Sequence, residues 1–203
     1  GFNIGSFGYM GTGLASNGRQ QDVWRYDAGI NSWSAVANAP TALISGTVFT
    51  IGGLAYLATG FTTTTIASVS EYTPQSTNAL ADIWTQKANR THSGAVGFSI
   101  GNKGYLGTGG TNPNFVKSFF EYDPATNAWT QMADIVGPQA ARTQAVGFSI
   151  GGLGFIATGV SISTSFPFVV TLSNTMLQFD PAANLWSQKP TFNGIQRRNA
   201  VGF

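Results

Sequence analysis

The stretch Gly97-Phe98-Ser99-Ile100-Gly101 decides the fold of this chain, because it returns at regular intervals along the sequence. Its counterparts are Gly1-Phe2-Asn3-Ile4-Gly5, Val48-Phe49-Thr50-Ile51-Gly52 and Gly147-Phe148-Ser149-Ile150-Gly151, with a stub at Gly202-Phe203. Their phenylalanines stand 47, 49, 50 and 55 residues apart. A period of about fifty residues indicates one supersecondary unit that is used several times.

Three further phrases follow in every repeat. The second ends in Thr-Gly and occupies residues 8–13, 55–60, 104–109 and 154–159; the third occupies 22–27, 70–72, 119–123 and 176–180; the fourth opens at Trp33, Trp84, Trp129 and Trp186. Each phrase is short, apolar or alternating, and bounded by turn residues, which is typical of β-strands. Four such strands per repeat predict an all-β chain, a β-propeller of four-stranded antiparallel blades.

The turn between the third and fourth phrases has a nearly constant length. Tyr26 and Trp33, Tyr122 and Trp129, and Phe179 and Trp186 are each seven residues apart. Residues 123–127 read Asp-Pro-Ala-Thr-Asn, and Asp, Pro and Asn are turn formers. The second repeat has twelve residues from Tyr72 to Trp84, so we expect an extended turn over residues 74–82.

The pattern resembles the kelch motif, in which a glycine pair follows an apolar strand and a Tyr-Asp-Pro turn precedes a Trp. Gly109-Gly110 is the direct match, whereas the other repeats have Gly-Thr-Gly or Ala-Thr-Gly. The Gly-Phe-Ser-Ile-Gly phrase is also similar to kelch repeats of bacterial exported and surface proteins. The resemblance covers essentially the whole chain.

The repeats predict a single kelch-like domain or segment over residues 1–203, with repeats of approximately 1–47, 48–96, 97–146 and 147–201. Two interpretations of the blade number stay open. In the first, the four repeats are part of a larger propeller that another chain or further blades complete. In the second, the four blades close on themselves. The first interpretation is preferred, because the resemblance to kelch propellers implies five to seven blades, which is more than the four repeats of this chain.

The composition excludes several kinds of site. Charged residues make up only 9% of the chain, net charge is +2, and no run of Lys or Arg occurs, so we expect neither nucleic acid nor membrane insertion. Cysteine is absent and His92 is the one histidine, which leaves no donor set for a thiolate or polyhistidine metal site. We therefore expect no metal, no cofactor and no catalytic constellation.

Four arginines are candidate ligand contacts. Arg90, Arg142, Arg197 and Arg198 lie just before the first strand of a repeat, and arginines at one mouth of a channel could hold a carboxylate or sulfate. The structural alternative is that each arginine anchors backbone carbonyls. The first repeat has Leu43 near this position, so any ring of arginines would be incomplete.

Three apolar side chains complete the candidate binding residues. Trp24 breaks the repeat pattern, and Phe166 and Phe168 lie in the segment 160–175, which is longer and more apolar than the matching loops 14–21, 61–69 and 110–117. Variable loops on one side of a constant scaffold are how repeat proteins build binding surfaces. The recurring Tyr, Phe and Trp positions are better explained by core packing.

Two functions from different classes remain. The first is a non-enzymatic binding or scaffold module for a protein or glycan, extracellular or on a bacterial surface. The alternative is part of a kelch-type carbohydrate-active enzyme, such as a sugar isomerase with channel arginines. The resemblance also includes copper-radical oxidases, but these need a Tyr-Cys crosslink and His ligands that this chain lacks.

Overall fold

The computed structural model describes residues 1–75, 81–111, 114–163 and 166–202. Parts of the predicted 74–82 turn, of the 110–117 and 160–175 loops and of the Gly202-Phe203 stub therefore lie outside the described residues. The chain forms two compact units, Gly1–Thr91 and His92–Phe203. Each unit contains two four-stranded antiparallel sheets.

The first unit consists of sheets 1 and 2. Sheet 1 contains β1 (Phe2–Ile4), β2 (Phe7–Ala15), β3 (Gly18–Asp27) and β4 (Ser32–Ala35). Sheet 2 contains β5 (Thr47–Ile51), β6 (Leu54–Ala58), β7 (Val69–Thr73) and β8 (Ile83–Lys87). Neighbouring strands in the sequence are neighbours in each sheet, so both sheets are simple antiparallel meanders.

The second unit repeats this arrangement as sheets 3 and 4. Sheet 3 contains β9 (Val96–Ile100), β10 (Lys103–Gly107), β13 (Phe119–Asp123) and β14 (Ala128–Gln131), and the short pair β11 (Gly110–Thr111) and β12 (Asn114–Phe115) lies between β10 and β13. Sheet 4 contains β15 (Val146–Ile150), β16 (Leu153–Ala157), β19 (Met176–Asp180) and β20 (Leu185–Lys189), with β17 (Val160–Ile162) and β18 (Val170–Leu172) as the additional pair. No α-helix occurs in the parts of the chain that the structure describes, and no helix there is long and apolar enough to cross a membrane.

The predicted strands are confirmed, and so are the three turns that follow Asp27, Asp123 and Asp180. Each aromatic pair that the spacing singled out lies directly opposite across its third and fourth strands: Tyr26 faces Trp33, Tyr72 faces Trp84, Tyr122 faces Trp129 and Phe179 faces Trp186. The aspartates that begin three of the turns accept a backbone N–H two residues later: Gly29, Ala125 and Ala182 donate to Asp27, Asp123 and Asp180 at 2.8, 2.9 and 2.9 Å. A fixed turn of this kind sets the register of both strands.

Each sheet has two different ends. The connections between first and second strands and between third and fourth strands lie at one end, which we call the turn end. The connection between second and third strands and the link to the next repeat lie at the opposite end, the loop end. The variable segments of the sequence thus share the loop end of their sheets.

Within each unit the core forms where two sheets pack face to face. We call the face of a sheet that carries Tyr9 and Val23, or Tyr105 and Phe119, its front face, and the opposite face its back face. The back face of sheet 2 packs on the front face of sheet 1, with Tyr72 5.5 Å from Tyr9 in an edge-to-face pair. The back face of sheet 4 packs on the front face of sheet 3.

The aromatic side chains that recur in the sequence supply much of this core. Phe119 lies 4.8 Å from both Phe179 and Trp186 by ring centroids, in edge-to-face geometry. Edge-to-face pairs add to the free energy that area burial alone gives. The predicted packing role is therefore observed for these positions, with one exception: Trp33, at the back face of sheet 1, is exposed.

Candidate functional site

The loop end begins at the Thr-Gly pair that closes each second strand. Thr12, Thr59, Thr108 and Thr158 have φ values of 58°, 60°, 59° and 60°, and the glycines that follow them also have positive φ. A β-branched residue rarely adopts this left-handed conformation. The chain therefore turns at this point in every repeat, at the position where the kelch pattern has a glycine pair.

The glycine of the Thr-Gly pair ties the loop end to the following link. Gly13, Gly109 and Gly159 donate their N–H to the carbonyls of Leu43, Arg142 and Arg197, at 2.9, 2.6 and 2.8 Å. These contacts make Leu43, Arg142 and Arg197 structurally equivalent. Leu43 thus stands at the position of Arg142 and Arg197. Arg90 does not, because its N–H donates to the Ala67 carbonyl at 2.7 Å, which is the contact that Ala39 and Ile135 make in their repeats.

Arg142 is fully buried and its guanidinium is surrounded by acceptors. It donates to the carbonyls of Gln139 at 2.5 Å, Thr158 at 2.9 Å and Pro138 at 2.8 Å, and to the Ser173 hydroxyl at 3.4 Å. Burial lowers the pKa of this guanidinium to about 10. These contacts correspond to the structural alternative, in which the arginine anchors backbone carbonyls.

The other three arginines have different surroundings. Arg197 and Arg198 are exposed; Arg197 donates from Nε to the Ile195 carbonyl at 3.0 Å and lies 4.9 Å over the Phe192 ring. Arg90 is half-buried, and burial lowers its pKa. The exposed pair Arg197 and Arg198 is therefore available to a charged partner, and the ligand-contact role of all four remains a prediction.

The tip of the β17–β18 hairpin is the most apolar exposed segment of the loop end. Phe166 is 88% and Phe168 58% exposed, and their rings lie 6.3 Å apart in edge-to-face geometry. Val169 and Val170 beside them are also exposed. Large exposed apolar side chains that adjoin one another are typical of contact surfaces.

Hydrogen bonds hold this hairpin in place at the tip and at the base. Ser163 Oγ donates to the Pro167 carbonyl at 3.1 Å and accepts the Val169 N–H at 2.9 Å. At the base, Thr143 and Val160 exchange backbone hydrogen bonds of 2.9 Å. The Ser163 hydroxyl thus bonds the backbone on both sides of Phe168.

Trp24 belongs to the first unit and lies on the back face of sheet 1. It is 42% exposed, and its indole N–H donates to Asp22 Oδ2 at 2.7 Å. A depression of about 310 Å³ adjoins it, lined by Met10, Leu14, Gln20 and Trp33 among others. Trp24 is exposed as the sequence indicated, but on a sheet face.

His92 is the other polar side chain that the sequence singles out. His92 is buried, with Nε2 3.2 Å from Ser118 Oγ and its ring 5.8 Å from Phe120. Among the described residues, no three His, Cys, Asp or Glu side chains group in a way that could hold a metal ion.

Two exposed residues at the loop end were not singled out by the sequence reasoning. Phe192 and Ile195 lie in the link after β20, next to Arg197. The signal that could have found them is positional: Phe192, Ala39 and Ile135 each stand six residues after the Trp of the fourth strand. Ala39 and Ile135 are buried, so a large apolar residue that is exposed at this position is unusual for the repeat.

The solved structure of YjhT is similar to this chain. The superposition covers 98% of this chain and 71% of the YjhT chain, with a TM-score of 0.76 and 17% sequence identity. At this identity the similarity shows a common fold and nothing further. No protein-family model matches the chain, and no curated protein does.

Proposed function

We propose that the four sheets are blades of a kelch-type β-propeller and that the chain is a non-enzymatic binding module. The support for the blades is that the same meander, the same Thr-Gly turn and the same kind of face-to-face packing recur. In this proposal the sheets form a constant scaffold and the loop end carries the contact surface.

The exposed tip of the β17–β18 hairpin carries the binding proposal. Burying a phenylalanine fully contributes about 1.5–3 kcal/mol, and Phe166 and Phe168 make little use of this within the chain. The Ser163 hydroxyl bonds Pro167 and Val169, and such internal hydrogen bonds lower the conformational entropy that is lost when a partner covers the tip. A partner with an apolar pocket would bury both rings.

A protein partner suits this tip better than a glycan. The tip exposes four adjoining apolar side chains, those of Phe166, Phe168, Val169 and Val170. Residues 160–175 contain no charged residue. A sugar site needs hydrogen-bonding groups beside a flat aromatic ring, whereas an apolar point needs a complementary pocket. We propose that the chain acts outside the cell or at a bacterial surface, which its low charge and its resemblance to exported kelch repeats favour.

Catalysis has less support than binding. A sugar isomerase would need solvent-accessible arginines with a carboxylate beside them. The guanidinium of Arg142 is buried against carbonyls, and no Asp or Glu occurs in residues 135–179 or 181–203. We therefore place the enzyme hypothesis second.

Photo-crosslinking with competition tests the binding proposal. A photoreactive phenylalanine analogue replaces Phe168, and the control carries it at Thr126, at the turn end of sheet 3. We expect one protein to crosslink at position 168 and not at 126. An excess of unlabelled wild-type chain should abolish the crosslink, whereas an excess of the F166S/F168S variant should not. Equal competition by both chains would contradict the proposal.

A further inference from the structure

Asparagine followed by glycine is a chemically labile pair, and this chain contains it twice, at Asn17-Gly18 and Asn193-Gly194. The glycine nitrogen attacks Cγ of the asparagine side chain, and glycine leaves this approach open because it has no Cβ. Ammonia leaves as a cyclic succinimide forms, and water then opens the ring to aspartate or isoaspartate. The net reaction consumes one water and releases one ammonia.

Asn17 lies at the tip of the β2–β3 hairpin, in a two-residue turn with Ser16. Its side chain is exposed, and Gly18 stands opposite Ala15 in the last pair of the ladder. Terminal pairs of this kind open at the lowest free energy, and opening frees the Gly18 nitrogen to turn toward the Asn17 side chain. A Cβ on Gly18 would meet no atom within 4 Å, so no neighbouring group resists this movement.

The Gln20 side chain adds an activating contact to the hairpin tip. Its Nε2 donates to Asn17 Oδ1 at 2.7 Å and to the Gly18 carbonyl at 2.9 Å. Negative charge develops on Oδ1 when the Gly18 nitrogen attacks Cγ of Asn17. A donor that already points at this oxygen stabilises the developing charge. The fold therefore places an oxyanion-stabilising group beside the labile amide.

Asn193-Gly194 has the same two residues in different surroundings. The pair lies in the link after β20, outside the strands. A Cβ on Gly194 would overlap the Phe192 ring and lie 3.0 Å from Arg197 Nη2. The Gly194 backbone is thus packed against a ring and a guanidinium, and both resist the rotation that the attack requires.

We propose that Asn17 is a deamidation site of the folded chain, that Gln20 accelerates the reaction, and that packing of Gly194 protects Asn193. The reaction needs only water. It uses the tip of the β2–β3 hairpin and not the β17–β18 tip, so its failure would leave the binding proposal untouched.

The products change both the charge and the shape of the β2–β3 hairpin. Aspartate adds a negative charge at the tip. Isoaspartate adds a methylene to the backbone of a two-residue turn, and the length of such a turn sets the register of its strands. We expect the pairs Ala15–Gly18 and Leu14–Arg19 to open, so that Arg19 leaves its position 5.7 Å from the centre of the Phe61 ring. The loop end of sheet 1 would thus change slowly with the age of the chain.

Peptide mapping by mass spectrometry measures both asparagines in one sample. The folded chain is incubated in a mildly alkaline buffer and sampled over several weeks. We expect Asn17 to convert at least about threefold faster than Asn193. In concentrated urea the two rates should become similar, because the surroundings that distinguish the two sites are lost. A folded chain in which Asn193 converts as fast as Asn17 would overturn the proposal.

The variant Q20L tests the role of Gln20, because leucine has a similar size but no donor. We expect the rate at Asn17 to fall at least about threefold while the rate at Asn193 stays unchanged. The control Q21L changes the neighbouring exposed glutamine and should alter neither rate. A hairpin loosened by the substitution would react faster, so a slower reaction cannot come from a loss of structure. An unchanged or faster rate at Asn17 in Q20L would contradict the proposal.

Discussion

At the scale of single residues, two glycines with similar backbone angles differ in the space that surrounds them. Gly101 and Gly109 have φ values of 59° and 81°. A Cβ on Gly101 would meet open space, whereas on Gly109 it would overlap the Ser93 carbonyl oxygen and lie 2.8 Å from the Ala95 nitrogen. The first position needs only a left-handed backbone, while the second also needs the absence of a side chain.

This contrast leads to a prediction about stability. G101A should lower the free energy of unfolding by about 1 kcal/mol, the typical cost of a non-glycine residue in the left-handed region. G109A should lower it by at least about 3 kcal/mol, because steric overlap with backbone atoms is added. Urea denaturation of both variants measures the difference. Equal losses would show that the backbone near Ser93 moves away at little cost.

At the scale of elements, Arg142 joins the link before sheet 4 to two strands. Its guanidinium reaches Thr158 at the end of β16 and Ser173 after β18, while it also bonds Pro138 and Gln139 in the link. One side chain thus fixes the base of the hairpin that carries Phe166 and Phe168. The position of the candidate contact surface depends on this arginine even though it is buried.

Removing Arg142 should therefore destabilise the second unit. R142M keeps a similar length but leaves buried carbonyls without donors, and we expect a loss of about 3 kcal/mol or more in the free energy of unfolding. The control R198M changes an exposed arginine and should remain within about 0.5 kcal/mol of wild type. Chemical denaturation compares the two. A loss for R142M as small as that for R198M would assign Arg142 no anchoring role.

The strands and their turns could be predicted from the sequence, because the recurring residues are strand formers and turn formers at constant spacing. The Asp turn formers and the constant distance from Tyr122 to Trp129 determine strand lengths and register. The sequence offered carbonyl anchoring as one of two roles for Arg142, and the structure shows that role. The exposure of Phe192 could not be predicted, since it depends on which chain segments lie around it. The sequence pattern places Trp33 with three other tryptophans, but only the structure shows that the Trp33 side chain is exposed.

At the scale of the whole molecule, buried tyrosines make stability depend on alkaline pH. Burial raises the pKa of Tyr9, Tyr72 and Tyr105, and hydrogen bonds to Asp82 and Glu121 raise that of the last two further. Above the unfolded value of 10.0 the unfolded chain releases these protons while the folded chain retains them. The stabilisation is complete below pH 10 and is lost as the pH rises through the folded pKa.

Comparison of wild type with Y105F tests this dependence, because titrations common to both chains cancel. Tyr105 donates to Glu121 Oε2 at 2.5 Å, and the variant lacks the titrating phenol. We expect the free energy of unfolding to fall less steeply in Y105F than in wild type between about pH 9.5 and 11.5. Urea denaturation at several pH values measures both slopes. Parallel curves would show that Tyr105 titrates alike in the folded and unfolded chain.

The loop end of sheet 4 has a further property, which concerns acidification. Residues 135–179 contain neither His nor Asp nor Glu, and the same is true of residues 181–203. No side chain in these segments has an ordinary pKa between about 3 and 8. The charge of these two segments, which include Phe166 and Phe168, would therefore stay constant from neutral to mildly acidic pH. Any release of a partner on acidification would have to originate in the partner.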